Sequence, residues 1–251
     1  MNMVTKPPLI TSEFCRYLSL SKQEFLSEAG QEGLMMQCGA TYIDVEIPLP
    51  DFPNELKSEN AMIETFQVSN DGSCLPLGTN RELIDAFAPC AKLMATAVLK
   101  SLRSFGVEID GAAYLTASIT MCNEINGNAH FDDEQYHASD GVGFVAIIGD
   151  RGGSRVARES IPHASINDDG VPVIFDQQSA DDFDSGLMLI HEGEPQELLI
   201  FPQFGQLHAG PALVSAGLTG FRRLMVMRAK TKTKNTVVSS SVKRKRRRRH
   251  A

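Results

Sequence analysis

Hydrophobic spacing in the first half of the chain predicts helices. The clearest pattern covers residues 81–104, where apolar side chains recur at helical intervals behind Asn80, a good capping residue. Pro89 is expected to kink or divide this helix. A second helix is predicted at 12–29, after a loose leader at 1–10.

After residue 112 the pattern changes to short apolar and β-branched runs separated by Gly, Asp and Asn. Such runs predict short strands. They lie at 113–122, 142–148, 171–175, 187–191, 197–201 and 221–227, after two earlier predicted strands at 41–47 and 62–68. Many short strands behind a helical half favour an α+β protein with a β-sandwich or barrel buttressed by helices. The polar segment 151–185 is expected to be a long irregular loop.

Composition is that of an ordinary globular protein. At 251 residues and 42% apolar content, the chain can bury a sizeable core as one domain with appendages. No run approaches the roughly 20 apolar residues that span a bilayer, so no membrane association is expected. The start lacks a signal-peptide pattern, which predicts a nuclear or cytoplasmic location. The five cysteines show no zinc spacing and are expected to be reduced thiols.

Charge is distributed unevenly along the chain. Residues 230–251 contain ten Lys/Arg and no acid, so the other 229 residues hold 24 − 10 = 14 basic against 31 acidic side chains. We expect this tail to be disordered. Its basic block 243–249 is typical of a nuclear import signal, of a tether to nucleic acid, or of a merely solvated run.

The strongest chemical signal comes from His130, Asp132 and His208. Side chains alternate along a strand, so the H-x-D pair would present an imidazole and a carboxylate on one face. His208, after the apolar strand 197–201, would complete a 2-His-1-carboxylate set, which is typical of non-haem Fe(II) oxygenases. The alternative is a surface His–Asp pair and an unrelated core histidine.

Three neighbouring residues compete with these ligands: Asp133, Glu134 and His137. Strand alternation places Asp133 on the opposite face. A fourth histidine, His191, lies far from the arginines described next.

Two adjacent arginines open the last predicted strand. Alternation puts Arg222, Leu224, Val226 and Arg228 on one face, and Arg223, Met225 and Met227 on the other. A buried arginine needs a partner, and a carboxylate suits its bidentate geometry. The partner could be a ligand or one of the chain's own 31 acids.

The ordered set H-x-D … H … G-x-R resembles the Fe(II)/2-oxoglutarate-dependent dioxygenases over residues 112–229. The resemblance implies a double-stranded β-helix (jelly-roll) core with His130, Asp132 and His208 as iron ligands. It implies that Arg222 binds the distal carboxylate of 2-oxoglutarate. The reaction would use O₂, with ascorbate as an optional reductant, to convert 2-oxoglutarate to succinate and hydroxylate a C–H bond.

The chain departs from the family pattern beside the arginine. Leu224 occupies a position where the family often has a small hydroxyl residue, and the interval from His208 is long. These departures leave Arg222 and Arg223 both open, although strand alternation and the G-x-R context favour Arg222. The implied organisation is a support region at 1–110, a catalytic core at 111–229 and a basic tail at 230–251.

Two subfamilies compete for the substrate. The patterns His130-x-Asp132-x-Glu134 and Arg222-x5-Arg228 resemble AlkB-type nucleic-acid demethylases. The strongly acidic body and the lack of a basic, aromatic surface favour instead a prolyl-hydroxylase-like enzyme acting on a protein or peptide side chain. A third hypothesis is a cupin-like binding module without catalysis.

Overall fold

The computed structural model describes residues 4–5, 7–29, 39–51, 62–121, 129–132, 141–158, 164–166, 172–174, 177–185, 187, 189–210 and 221–233. Its helices are α1 (Ser12–Leu18), α2 (Lys22–Ala29), α3 (Arg81–Ser104) and α4 (Gln177–Ser185). Its strands are β1 (Val4–Thr5), β2 (Thr41–Ile43), β3 (Met62–Val68), β4 (Cys74–Pro76), β5 (Ala113–Met121), β6 (Phe144–Gly149), β7 (Arg155–Ala157), β8 (Ala164–Ile166), β9 (Pro172–Ile174), β10 (Ile190–Glu192), β11 (Leu198–Pro202), β12 (His208–Ala209) and β13 (Phe221–Ala229).

The long helix α3 has the predicted bounds. The Asn80 side chain accepts a hydrogen bond from Leu83 N at 3.2 Å, which satisfies one of the unpaired N–H groups of the first turn. Pro89 lies inside the helix without ending it. One face of α3 packs on the large sheet described below and supplies much of the main hydrophobic core.

The single helix predicted at 12–29 is divided into α1 and α2. The division is caused by a capping box at Ser21, whose hydroxyl accepts a hydrogen bond from Glu24 N at 3.1 Å. In return, Ser21 N donates to the Glu24 carboxylate at 2.9 Å. This reciprocal pairing starts a new helix, and the S-x-x-E signature is visible in the sequence.

Seven strands form a large antiparallel sheet in the order β2-β11-β6-β13-β5-β3-β4. Alternate residues of β13 lie on opposite faces of this sheet, as the sequence predicts. Met225 and Met227 join the core shared with the helices. Leu224 and Val226 belong to a second cluster on the other face. One layer of helices therefore covers one face and leaves the other for the second sheet.

The second sheet has the order β1-β10-β7-β12. His130 pairs with His208 of β12 and so extends this sheet by one more position. Val156 of β7 packs in a cluster with Ile147, Leu199 and Val226 of the large sheet. The two sheets thus face each other across this cluster, and His130 and β12 lie along its border.

Several predicted boundaries are corrected by strand pairing. The leader contains β1, which pairs with β10, and Leu9 bridges Tyr42. The segment 151–185, predicted to be irregular apart from a strand at 171–175, also contains β7, β8 and α4, while β9 lies within the predicted strand. The strand predicted at 41–47 ends at Ile43. Strands of two or three residues depend on their partners more than on their own sequence.

The first residues of the predicted tail are part of this structure. Thr231 and Thr233 are buried, and Thr231 bridges Ile109. Residues 234–251, which include the basic block, lie outside the described residues. The prediction that the tail is disordered falls on these residues and stays a prediction. Among the helices described, none is long and apolar enough to cross a lipid bilayer.

Candidate metal centre

His130 and His208 are held side by side by their backbones. The amide of each residue donates to the carbonyl of the other, both at 3.0 Å. Residues paired in this way in antiparallel chains project their side chains to the same face. The two imidazole centroids lie 4.5 Å apart, so the fold brings together rings that are 78 positions apart in the chain.

Asp132 joins them because it lies two residues beyond His130 in the H-x-D pair. Its Oδ1 is 3.5 Å from His208 Nε2. One ligand atom from each of His130, Asp132 and His208 lies within 4.8 Å of the others. Within the described ranges, no other group of three His, Cys, Asp or Glu residues meets this condition. The structure therefore brings all three predicted ligands to one point.

The orientation of His208 is fixed by a backbone carbonyl. His208 Nδ1 lies 3.0 Å from Gln206 O. A carbonyl only accepts hydrogen bonds, so Nδ1 carries the proton and Nε2 of a neutral ring carries a lone pair. The Gln206 side chain is itself held, because its Nε2 donates to Ala157 O at 2.6 Å.

This arrangement suits a cation. The Nε2 lone pair of His208 and the Asp132 carboxylate oppose each other unless a proton or a metal ion lies between them. Atoms bound to one ion at roughly 2.0–2.2 Å are about 3 Å apart when adjacent and about 4.2 Å apart when opposite. The observed 3.5 Å separation is within this range. Two imidazoles and one carboxylate are the donor set associated with Fe(II) and other first-row transition metals.

The environment of Asp132 favours its ionised form. Burial raises the pKa of this carboxyl group. The neighbouring His208, Arg228 and His130 act the other way, and the net pKa lies below its ordinary value. Arg228 Nε lies 4.0 Å from Asp132 Oδ2. A negatively charged carboxylate is the form that a metal ion requires.

The site is buried on one side and open on the other. His208 is 6% exposed and its ring packs 5.0 Å from that of Phe201. His130 is exposed. Phe131 points away from the site and packs against an apolar cluster that contains Phe183 and Leu207. Solvent or a substrate therefore has access from the His130 side.

Arg222 and Arg223 point to opposite faces of β13. Arg222 is 2% exposed, and its Nη2 donates to the carbonyls of Gly152 and Gly153 at 3.0 and 2.8 Å. These glycines lie in the loop between β6 and β7. Arg222 shares its face with Leu224 and Val226, which pack in the cluster between the two sheets.

Arg223 is paired on the other side of the sheet. Its Nε lies 3.2 Å from Asp150, and its Nη1 lies 3.2 Å from Asp51 and donates to Pro50 O at 2.7 Å. Arg223 is therefore paired with acidic side chains of the chain itself, which is the second of the two alternatives that the sequence left open for a buried arginine. Arg222 is the arginine that faces the second sheet.

The competing ligands are separated from this centre or lie outside the described residues. Asp133, Glu134 and His137 belong to the latter group. His191 is opposite Val156, which is also opposite His208. It therefore faces the same side of the second sheet, two strands or roughly 10 Å away from His208.

Sequence reasoning missed the supporting residues Gln206, Phe201, Gly152 and Gly153. No spacing marks them, since each is defined by a contact with a distant strand or loop. The R-x5-R spacing noted in the sequence does include Arg228, which the fold brings to Asp132.

No family model and no curated protein matches the sequence. Solved structures show distant similarity. They include the Fe(II)/α-ketoglutarate-dependent dioxygenase TqaL, with a TM-score of 0.37 and 13% identity over 69% of this chain and 67% of that chain. They also include dioxygenase for auxin oxidation 1 from Arabidopsis thaliana in a 2-oxoglutarate complex, with a TM-score of 0.35 and 9% identity over 92% and 94%. A bsmA homologue from Methylobium petroleophilum has a TM-score of 0.31 and 14% identity over 74% and 76%. With TM-scores this low, the function has to be inferred from the chain's own residues.

Proposed function

We propose that this chain is an Fe(II)- and 2-oxoglutarate-dependent dioxygenase that hydroxylates a C–H bond. The observation that carries the proposal is the convergence of His130, Asp132 and His208 within 4.8 Å of one another. The balanced reaction consumes 2-oxoglutarate, O₂ and the substrate C–H, and yields succinate, CO₂ and the hydroxylated product. The chemistry that iron supplies at such a site, when bound, is the activation of O₂.

The protein's part in this reaction is to hold and orient the ligands. Gln206 O keeps the proton of His208 on Nδ1, so that Nε2 is available as a ligand. The ionised form of Asp132 is favoured by its cationic neighbours. Three protein ligands leave positions for a chelating 2-oxo acid and O₂.

Arg222 is the residue that we assign to the distal carboxylate of 2-oxoglutarate. Its guanidinium is buried and fixed by two carbonyls of the β6–β7 loop. It lies on the face of β13 that also carries Arg228, whose side chain contacts the ligand Asp132. A fixed guanidinium in a site of low dielectric is well suited to bind a carboxylate.

The path of the chain supports a double-stranded β-helix. From β5 onward, the chain passes from the large sheet to His130 in the second sheet, to β6 in the large sheet, and to β7 and β10 in the second. It then returns to β11 in the large sheet, crosses to β12 in the second sheet and ends in β13 of the large sheet. Such exchange between two facing sheets is the pattern of a jelly roll.

For the substrate we propose a protein or peptide side chain, reached from the exposed His130 side. An acidic body does not attract nucleic-acid phosphates broadly, which weighs against the AlkB-like alternative. The basic tail would then serve nuclear import or a nucleic-acid tether, and ascorbate would act as an auxiliary reductant. Nucleic-acid demethylation is a distinct outcome of the test below.

Release of succinate tests the proposal. Protein loaded anaerobically with Fe(II) is mixed with 2-oxoglutarate and O₂ over a panel of peptides and methylated oligonucleotides. We expect substrate-stimulated succinate from the wild type and none above background from His130→Ala. Equal turnover in both proteins would rule out this site. Absence of metal binding, and of any effect of 2-oxoglutarate on the melting temperature, would favour the non-catalytic cupin-like module.

A further inference from the structure

The residues that flank the two histidines in sequence belong to, or pack against, one apolar cluster. They are Ala129, Phe131, Leu207 and Ala209. Side chains alternate along a strand, so these four project from the face opposite to the one that carries His130 and His208. The cluster, which we call the outer cluster, therefore lies directly behind the metal centre, on the outer face of the second sheet.

Helix α4 covers the outer cluster. Phe183 is fully buried in it, and Ala180 packs against its margin. Residues three apart lie on the same face of a helix, so this pair sets the face of α4 that meets the sheet. The guanidinium of Arg155 in β7 lies 5.4 Å from the centroid of the Phe183 ring, and its Nε donates to Gly210 O at 2.8 Å. Phe183 is thereby connected to the end of β12, which carries His208.

The next residue of α4, Asp184, holds the backbone that leads into His130. Both carboxylate oxygens of Asp184 accept from Ala129 N, each at 3.3 Å. Asp184 lies one residue before the end of α4, whose last turn has no basic residue. A negative charge at this end opposes the helix dipole. What Asp184 contributes is therefore its contact with Ala129 and not the stability of the helix.

The two ligand segments need such support because their own pairing is short. Within the described ranges, they are joined by the single bridge between His130 and His208. Strand pairing of this length is only marginally stable by itself. Helix α4 contacts the neighbours of both histidines at once, so its docking limits how far the two imidazoles can separate.

We propose that α4 is a positioning helix for the metal centre, in which Phe183 and Asp184 hold the two ligand segments together from the outer face. This proposal rests on the proposed function. Both residues lie behind the sheet and act through the backbones that carry His130 and His208. Because thermodynamic coupling is reciprocal, a metal ion bound by the histidines stabilises the docking of α4 by the same factor.

The experiment measures metal affinity in the full chain and needs no turnover. Mn(II) is titrated anaerobically by calorimetry, and the melting temperature of each metal-free protein is recorded. Asp184→Ala removes the acceptors of Ala129 N, whereas Asp184→Asn keeps one acceptor oxygen and removes the charge. Ser185→Ala is the matched control at the same end of α4, since Ser185 Oγ donates only to Asp182 O within the helix, at 3.3 Å.

A second matched pair separates positioning from general stability. Phe183→Leu and Phe87→Leu each shorten a fully buried phenylalanine, and both should lower the melting temperature of the metal-free protein. Phe87 of α3 lies in the main core, on the other side of the large sheet. A change that merely weakens the fold would therefore affect both variants alike.

We expect Asp184→Ala and Phe183→Leu to weaken Mn(II) binding about tenfold, the lower end of the range for residues that orient metal ligands. Asp184→Asn, Ser185→Ala and Phe87→Leu should bind Mn(II) within about twofold of the wild type. In hydrogen exchange, the amides of Ala129 and of α4 should exchange more slowly in the Mn(II)-loaded wild type than in the metal-free protein. Asp184→Ala should reduce this protection.

The proposal and the function on which it rests fail in distinguishable ways. If the wild type binds Mn(II) and both Asp184→Ala and Phe183→Leu bind it equally tightly, the positioning role is wrong and the proposed function stands. Equal losses in Asp184→Ala and Asp184→Asn also overturn the role, because charge and not the bond to Ala129 would then set the affinity. An equal loss in Phe87→Leu and Phe183→Leu assigns the effect to general stability. If the wild type does not bind Mn(II), the proposed function fails and the role of α4 fails with it.

Discussion

His130 and His208 exchange two backbone hydrogen bonds, each of 3.0 Å, and their imidazoles project from the same face with centroids 4.5 Å apart. The proposed metal centre is therefore built on strand pairing rather than on a flexible loop. Two of its three ligands are positioned by the same pair of hydrogen bonds, and the third follows from the period of a strand.

Replacing His208 should abolish tight metal binding. In His208→Ala the buried Nε2 ligand is lost, and the affinity for Mn(II) or Co(II) should fall by more than the roughly 10- to 100-fold caused by losing a ligand's hydrogen-bond partner. Calorimetric titration under anaerobic conditions measures this directly.

The control is His191→Asn, which removes another buried histidine from the same sheet face. It should retain one metal per chain with wild-type affinity. Equal loss of metal binding in both variants would mean that general damage to the second sheet, and not a lost ligand, causes the effect.

The stability of the fold should depend on residues 230–233. Asp110 N donates to Lys230 O at 2.8 Å and Lys232 N to Glu108 O at 2.9 Å. Gly143 N donates to Thr231 Oγ1 at 3.1 Å. Loss of these bonds in a chain ending at Ala229 should lower the melting temperature by roughly 5–15 °C relative to a chain ending at Thr233.

Thermal unfolding of the two truncated chains checks this expectation. Lys232→Ala in the longer chain is the control, since it removes only the exposed pair with Glu108 at 2.7 Å. It should change the melting temperature little. If both truncated chains melt at the same temperature, the pairing of 230–233 with 108–110 contributes nothing to stability.

The sequence predicted what is set locally. Alternation along β13 correctly separated Leu224 and Val226 from Met225 and Met227, because period two depends on neighbouring residues alone. The bounds of α3 followed from its long periodic stripe and its Asn80 cap. The ligand triad was predicted from residue types and their order.

The features that were missed depend on distant partners. The position of Thr120 beside Arg222 depends on the register between β5 and β13. The sequence of either strand alone does not set that register. The three-residue strand β7, in a segment predicted to be irregular, exists because it pairs with β10 and β12. The orientation of His208 depends on the carbonyl of Gln206, and a backbone group leaves no trace in residue type.

Cys15 should be the slower of two thiols to react. Burial raises the pKa of the Cys15 thiol to about 12, so hardly any reactive thiolate exists at pH 8.5. Cys74 is only partly buried. Alkylation by iodoacetamide at pH 8.5, followed by peptide mass mapping, should therefore modify Cys74 well before Cys15. Equal rates in the native protein would show that α1 opens readily; equal rates are expected only in denaturant.

The two arginines at the head of β13 provide the sharpest matched pair. Lysine keeps the positive charge but lacks the planar, bidentate fork. Arg222→Lys should raise KM for 2-oxoglutarate about tenfold or more, because the carboxylate loses its paired hydrogen bonds. Arg223→Lys alters a side chain that binds Asp150, Asp51 and Pro50 O on the other face, and its KM should stay within about twofold of the wild type. Steady-state succinate formation over a range of 2-oxoglutarate concentrations gives both values. A larger effect from Arg223 than from Arg222 would reverse the assignment, and with it the face of β13 on which we propose that 2-oxoglutarate binds.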